Sequence, residues 1–314
     1  MLSTVQFEVP EYLISQSSGL TPSTMAVAGA DHRVALESVR QATDAGLINP
    51  VLVGDPATIA TIADDMEWDM AGTRIVSAEG EQATAETAVA LARGGEVSSL
   101  MKGHVHTDAL MRAVVSRDSG LRTGRRLSHV FHMTVPGSNK VLYITDAAIN
   151  IAPDADAKID IINNAVGMAH SLGQANPHVA LLSATESIIE SMPSSVRAGE
   201  VARRAGAGEV EGAVVDGPFG FDNAVSMEAA MLKGMDSPVA GNADILVVPN
   251  IEMGNGLFKM MVYFMSGLAA GLVMGAKVPI VLTSRADPPE ARLAAAAIAA
   301  IIAGQPEAAQ SAVD

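Results

Sequence analysis

The feature that most constrains this chain is an alternation that begins near Met25 and runs almost to its end. Short Val/Ile/Leu runs at 25–30, 50–54, 74–78, 97–101, 178–183, 211–216, 243–249 and 279–283 are each trailed by a segment of helical length, such as 34–45, 82–93 and 108–116. Runs this short and this continuously apolar fit strands buried on both faces. Buried strands joined through 10–15-residue helical connections are βαβ units, and these build a mainly parallel sheet. Several runs end in Gly, Asp, Ser or Asn. Loops leaving the carboxyl ends of parallel strands are where such sheets gather their ligands.

The 314 residues suffice for roughly two domains of about 150 residues, each with its own core. Composition marks no linker, so it does not locate the boundary. The longest apolar stretches, 264–276 and 293–304, are rich in Ala and Gly and fall short of the ~18 residues a membrane span needs. Both are expected to be tightly packed buried helices, while residues 1–24 read as a loosely patterned arm. The first basic residue is Arg33, which argues against a secretory signal. With no cysteine, disulfides, thiolate metal sites and cysteine-linked acyl intermediates are excluded. A cytoplasmic location fits. The formal charge of −15 argues against nucleic acid or an anionic membrane as a partner. An anionic ligand must therefore find a local basic site.

Four stretches carry candidate chemistry. Lys102, Arg112, Arg117, Arg122, Arg125 and Arg126 face only Asp108 and Asp118 within 102–132, a local charge of +4 in an acidic chain. That is the pattern for steering and holding an anion; the competing reading is a solvated basic face or a subunit contact. The same stretch holds His104, His106, His129 and His132. In extended backbone His104 and His106 point the same way and can bind a metal, but no third ligand declares itself nearby. Around Asp216-Gly-Pro, Asp222 and Asn223, helix capping competes with acid–base or Mg²⁺ chemistry. In 248–256 backbone N–H groups at a helix start can cradle an anion, although no P-loop or dinucleotide fingerprint is present. Finally, the run 279–283 emerges directly into Thr283, Ser284 and Arg285. A hydroxyl beside a guanidinium at a strand end suits a phosphate or a developing oxyanion. The alternative is that Ser284 or Asp287 caps the last helix.

Pro279-Ile-Val-Leu-Thr-Ser-Arg-Ala-Asp287 resembles the C-terminal signature of the phosphate acetyl/butyryltransferases. Gly120-Leu-Arg-Thr-Gly124, Ile144-Thr-Asp-Ala-Ala-Ile-Asn-Ile-Ala-Pro-Asp154, Asp216-Gly-Pro with Phe221-Asp-Asn-Ala224, and Ala240-Gly-Asn-Ala-Asp-Ile-Leu246 running into Pro249-Asn-Ile-Glu-Met-Gly-Asn255 agree in the same order. The resemblance spans about 30–305 and is closer to the butyryl or branched-chain type.

That resemblance implies an isocitrate/isopropylmalate dehydrogenase-like α/β fold with mainly parallel sheets. It places 1–127 with 273–314 in one domain and 128–272 in the other, with an active cleft between them, in a homodimer. It implies exchange of a short-chain acyl group between coenzyme A and inorganic phosphate, with coenzyme A as substrate and no metal or other cofactor. Ser284 and Arg285 fall on the family's serine and arginine, with Thr283 beside them. Arg112 falls near an upstream arginine of the acetyl enzymes, one residue short in spacing. Lys102, Arg122 and Asn255 join the expected phosphate and coenzyme A contacts. The acetyl enzymes carry an aspartate seven positions beyond the serine. Here that position is Ala291, so the proton-transfer role falls to Asp287 or Glu290, or to a base elsewhere in the chain. Two alternatives remain on the same fold: a metal- and NAD-dependent dehydrogenase using His104 and His106 or Asp216 and Asp222, and a catalytically inactive coenzyme A-binding protein.

Overall fold

A computed structural model describes residues 2–283 and 287–305. Its contacts divide the chain into two compact units. The first comprises Glu8–Arg125 together with the described residues from 270 onward, and the middle unit comprises Arg126–Ala269 with 2–7.

The first unit opens with α1 (Glu11–Ser17), β1 (Ser23–Ala28), α2 (Arg33–Asp44), β2 (Ile48–Gly54), α3 (Pro56–Asp65), β3 (Arg74–Ser77), α4 (Glu81–Arg93), β4 (Ser99–Lys102) and α5 (Thr107–Val115). The middle unit follows with β5 (Ser128–Thr134), β6 (Leu142–Thr145), α6 (Ala155–Ser171), β7 (His178–Leu182), α7 (Pro193–Arg204), β8 (Val214–Phe219), α8 (Phe221–Val225), α9 (Met227–Leu232), β9 (Ile245–Val247) and α10 (Ile251–Met265). The chain then returns through β10 (Leu268–Met274), β11 (Ile280–Val281) and α11 (Pro289–Ala303).

In the first unit the strand order is β3-β2-β1-β4-β11-β10, parallel from β3 to β11 and antiparallel between β11 and β10. In the middle unit it is β5-β6-β9-β7-β8, parallel except for the β5–β6 pair. The expected parallel α/β architecture is therefore present. The continuously apolar runs are buried strands, with Met25, Val27, Leu52, Leu100 and Val281 at 0% exposure. The middle unit packs Phe131, Met133, Ile144, Leu182, Phe219 and Leu246 into its own core.

Two expectations are corrected. The stretch 264–276 is not a helix: α10 ends at Met265, Ser266 takes a left-handed conformation as its C-cap, and Leu268–Met274 is strand β10. Ala and Gly at Ala269, Ala270 and Gly271 serve close packing in either geometry, which is why composition misled. The N-terminal stretch 1–24, read as a loosely patterned and partly ordered arm, is more regular than that, since it holds α1 and the start of β1. The Ala-rich 294–303 is helical as expected. Its alanines in α11 are almost wholly buried, letting the helix backbone approach α1, α2 and β11 closely.

Candidate active site

β1, β4 and β11 are parallel neighbours, with Ala28 opposite Lys102 and Met101 opposite Val281. Their carboxyl ends therefore share one edge, and three loops leave it side by side. Two of these loops touch backbone to backbone. Gly103 N–H donates to Ala28 O at 2.8 Å, and a Cβ at Gly103 would collide with the Gly29 and Ala28 carbonyls. Only glycine fits there.

A cavity of ≈ 70 Å³ opens at this edge, and Lys102, His104, His32, Thr283 and Arg292 contribute its polar lining. Among the described residues no Asp or Glu side chain belongs to that lining. In a chain of net charge −15, a recess whose described lining carries cations and no carboxylate has the charge pattern that focuses an anion. His32 sits at the N-cap of α2, where its Nδ1 accepts the Val34 N–H at 3.3 Å. Its ring stacks on His104 with centroids 4.1 Å apart. Lys102 Nζ reaches back over the loop to within 3.4 Å of the Gly103 and Val105 carbonyls. Arg292 lies on the first turn of α11, with Nη1 donating to Asp287 O at 2.6 Å. Its Nε is buried and has no hydrogen-bond acceptor among the described residues. An orphaned buried donor ordinarily costs about 1–3 kcal/mol.

The structure thus brings Lys102 and Thr283 together. Ser284 and Arg285 lie outside the described residues. Asp287 stands at the foot of α11 and engages Arg292 through its carbonyl. Arg112 on α5 and Arg122 beyond it are exposed in the first unit, and neither lines the cavity. Arg122 forms an isolated antiparallel bridge with Ala276. Asn255 belongs to the middle unit, on α10, whose start is capped by Asn250 accepting from Met253 N–H at 3.0 Å.

The basic stretch 102–132 is divided between the two units at Arg125–Arg126, and His129 and His132 are buried on β5, 1% and 0% exposed. His106 pairs with Glu81 through Nδ1 at 2.8 Å, while His104 stacks on His32. Among the described residues no three His, Asp or Glu side chains gather as a metal site. The capping reading of the last helix also needs correction. α11 has Pro288 at its N-cap position and no side-chain cap, so Asp287 does not serve there. Likewise α8 has Gly220 at its N-cap with no side-chain cap. Asp222 lies within its first turn, and Asn223 is buried against Glu186.

Sequence reasoning missed Arg292 and His32. The available signal was that Arg292 is the single basic residue beyond Arg285, at the head of a helix that from Leu293 onward is made of Ala, Ile and Leu.

The middle unit uses its motif residues differently. After β6, the Asp146 carboxylate accepts the backbone N–H groups of Ala148, Ile149 and Asn150 at 2.9, 3.0 and 3.2 Å, plus the Asn150 amide at 2.6 Å. Lys158, 4% exposed on α6, donates to Val248 O at 2.6 Å. Burial, reinforced by Arg197 and opposed by Asp146, pushes the Lys158 ammonium down to about 7.

Two α/β units with mainly parallel strands, and a recess at the carboxyl edge of β1, β4 and β11, define the class. A dehydrogenase-like fold agrees with it: the 4-hydroxythreonine-4-phosphate dehydrogenase of Klebsiella pneumoniae superposes over 90% of this chain and 99% of its own, with a TM-score of 0.56 at 14% identity. Similarity to a branched-chain phosphotransacylase from Enterococcus faecalis V583 is greater, with a TM-score of 0.78 at 33% identity over 90% of this chain and 100% of that one. A phosphate acetyltransferase of Rhizobium meliloti is 46% identical, over 95% of this chain and 94% of its own. Residues 81–300 match the family model "phosphate acetyl/butaryl transferase". The chain belongs to that family of acyltransferases.

Proposed function

We propose that this protein exchanges a short-chain acyl group, acetyl or butyryl/branched, between coenzyme A and inorganic phosphate: acyl-CoA + phosphate = acyl phosphate + CoA. The observation that carries this reading is the cationic cavity at the β1–β4–β11 edge, whose described lining holds no carboxylate and includes Thr283, the residue before Ser284 and Arg285 in the sequence.

Phosphate is held by cations there, and one of its oxygens attacks the thioester carbonyl. The carbonyl oxygen gains charge, and the Ser284 hydroxyl donates to it as it does so. The tetrahedral intermediate then collapses, the C–S bond breaks, and CoA leaves as thiolate to be protonated. Arg285 supplies the two parallel N–H donors that fit a phosphoryl group, which lysine does not. Lys102 and Thr283 complete the phosphate's surroundings. Asp287 is assigned the proton exchanged with the CoA sulfur. Arg112, Arg122 and Asn255 are the assigned contacts to the phosphates of CoA. The bonds made and broken move no electrons to an acceptor, so acyl transfer itself requires no nicotinamide, and we assign the charge stabilisation to the cationic side chains rather than to a resident metal. We further assign a cytoplasmic location, where acyl-CoA is met, and a homodimer, supported by the apolar side chains of Met260, Tyr263, Phe264 and Met265 that α10 leaves exposed.

The test is phosphate-dependent release of CoA from acetyl-, propionyl-, butyryl- and isobutyryl-CoA, measured in EDTA. Turnover with at least one of them supports the reading, and the panel ranks the acyl chains. Loss of all activity on chelation, restored by Mg²⁺ or Zn²⁺, overturns it in favour of a metal-dependent enzyme.

A further inference from the structure

Arg292 is the side chain at this edge that its surroundings leave incomplete. Its Nη1 is committed to the Asp287 carbonyl, which fixes the plane of the guanidinium. Its Nε–H is buried without an acceptor among the described residues, and the side chain borders the cavity shared with Lys102, Thr283, His32 and His104. A purely structural arginine in a protein interior satisfies its donors from carbonyls or carboxylates. Among the described residues the lining offers no carboxylate. A guanidinium anchored at one end, with a donor unmet among the described residues and a second cation beside it, is suited to an anionic acceptor.

We infer that Arg292 is a ligand of the anion bound in this cavity, its Nε–H donating to an oxygen of phosphate that Lys102 and Thr283 also face. The inference rests on the proposed acyl transfer and deepens it by adding a specificity residue outside the Ser284–Arg285 signature. Two phosphate sources share this chemistry: inorganic phosphate, and the phosphoryl groups of CoA. The geometry favours the smaller one, because the recess of ≈ 70 Å³ lies at the strand ends where the acceptor must meet the thioester.

The experiment compares Arg292→Gln, Arg292→Lys and the wild-type enzyme in two assays. In steady-state kinetics, Arg292→Gln is expected to raise the KM for phosphate about tenfold or more, the order for a lost charge-assisted hydrogen bond. Its KM for acyl-CoA should stay within about twofold, with Arg292→Lys intermediate, since it keeps the charge but not the Nε donor. A merely structural role would lower the melting temperature without splitting the two KM values. An unchanged phosphate KM in a folded, active Arg292→Gln enzyme overturns the inference, as does a rise confined to the KM for acyl-CoA.

In the second assay, inorganic phosphate is titrated into thermal melts with no acyl substrate present. Wild type is expected to gain stability with phosphate, as any protein does whose native state alone binds a ligand. Arg292→Lys, the variant least prone to misfold, should gain less. This arm holds even if no acyl transfer is detected, so failure of the proposed reaction and failure of the inference are read separately. A phosphate-induced shift undiminished in Arg292→Lys overturns the inference whatever the turnover.

Discussion

Arg292 in the first unit and Lys158 in the middle unit are both basic side chains drawn into protein, yet their surroundings treat them in opposite ways. Lys158 is 4% exposed, its ammonium is taken up by the Val248 carbonyl, and the neighbouring Asp146 accepts four hydrogen bonds from its own loop. That cluster ties the loops after β6 and β9 to α6 and presents its charge to protein. Arg292 is secured at one end, its buried Nε lacks an acceptor among the described residues, and it borders a recess. The contrast separates charge used to hold a loop from charge kept for a ligand. Burial alone does not distinguish them; completeness of hydrogen bonding does.

The strongest way to break the comparison is at Ser284, in the segment the first unit's edge delivers. Ser284→Ala is expected to lower kcat about 10²–10³-fold, the usual order for one oxyanion donor, with both KM values and the melting temperature nearly unchanged. Arg285→Lys should raise the KM for phosphate and lower kcat together, because the phosphoryl group is held but misaligned. Steady-state kinetics beside a melt on the same preparations checks both. A destabilised, fully active Ser284→Ala enzyme would remove that side chain from the site.

The middle cluster should give the reverse split. Lys158→Ala leaves the Val248 carbonyl unpaired and opens a void, a loss of about 2–4 kcal/mol in stability, while kcat per folded molecule is retained. The pH dependence has a definite sign. Folded Lys158 titrates at about 7 against an ordinary 10.5, so between those values the unfolded chain holds the extra proton. Wild-type stability therefore gains a contribution as pH rises from 7, about 2 kcal/mol by pH 9. Below pH 7 the cost of the buried charge is fully present. Lys158→Met should show a flatter slope in denaturant melts over that window; an identical slope would mean the lysine is hydrated in the native state.

The same contrast explains what could be read from residue order. Runs such as 25–30 and 50–54 announced strands because parallel strands buried on both faces need continuous Val, Ile and Leu. β10 did not, since Leu-Ala-Ala-Gly-Leu-Val-Met is compatible with a buried helix and only its antiparallel pairing with β11 decides the matter. β5 was obscured by His129 and His132, residue types that in isolation look like ligands. At the cavity, the positions of Lys102 and Thr283 could be anticipated because one ends β4 and the other lies two residues past β11. Arg292 could not be: it lies eight residues past Ser284 on a helix, and its place in the cavity depends on how α11 packs against α2 and β11.

His132 offers the smallest effect and the sharpest check on the corrected reading of the basic stretch. If it served an anion site, protonation would be favoured. Instead it lies at 0% exposure on β5, edge-on to Tyr143 with centroids 5.6 Å apart. Burial pushes its pKa down from 6.5 to about 4. The folded-state value is the lower one, so between those two pH values the unfolded chain takes up a proton that the native chain refuses. Stability should fall as pH drops through that window, by about 2 kcal/mol between pH 7 and pH 5, and this contribution should level off below pH 4. Other groups titrate in acid too, so the informative quantity is the difference between wild type and His132→Gln, each measured by denaturant melts across the window. The variant should lose the His132 share of the slope while keeping its KM for phosphate. Equal slopes would show that the ring is protonated within the fold, and a raised KM for phosphate would return His132 to the anion site.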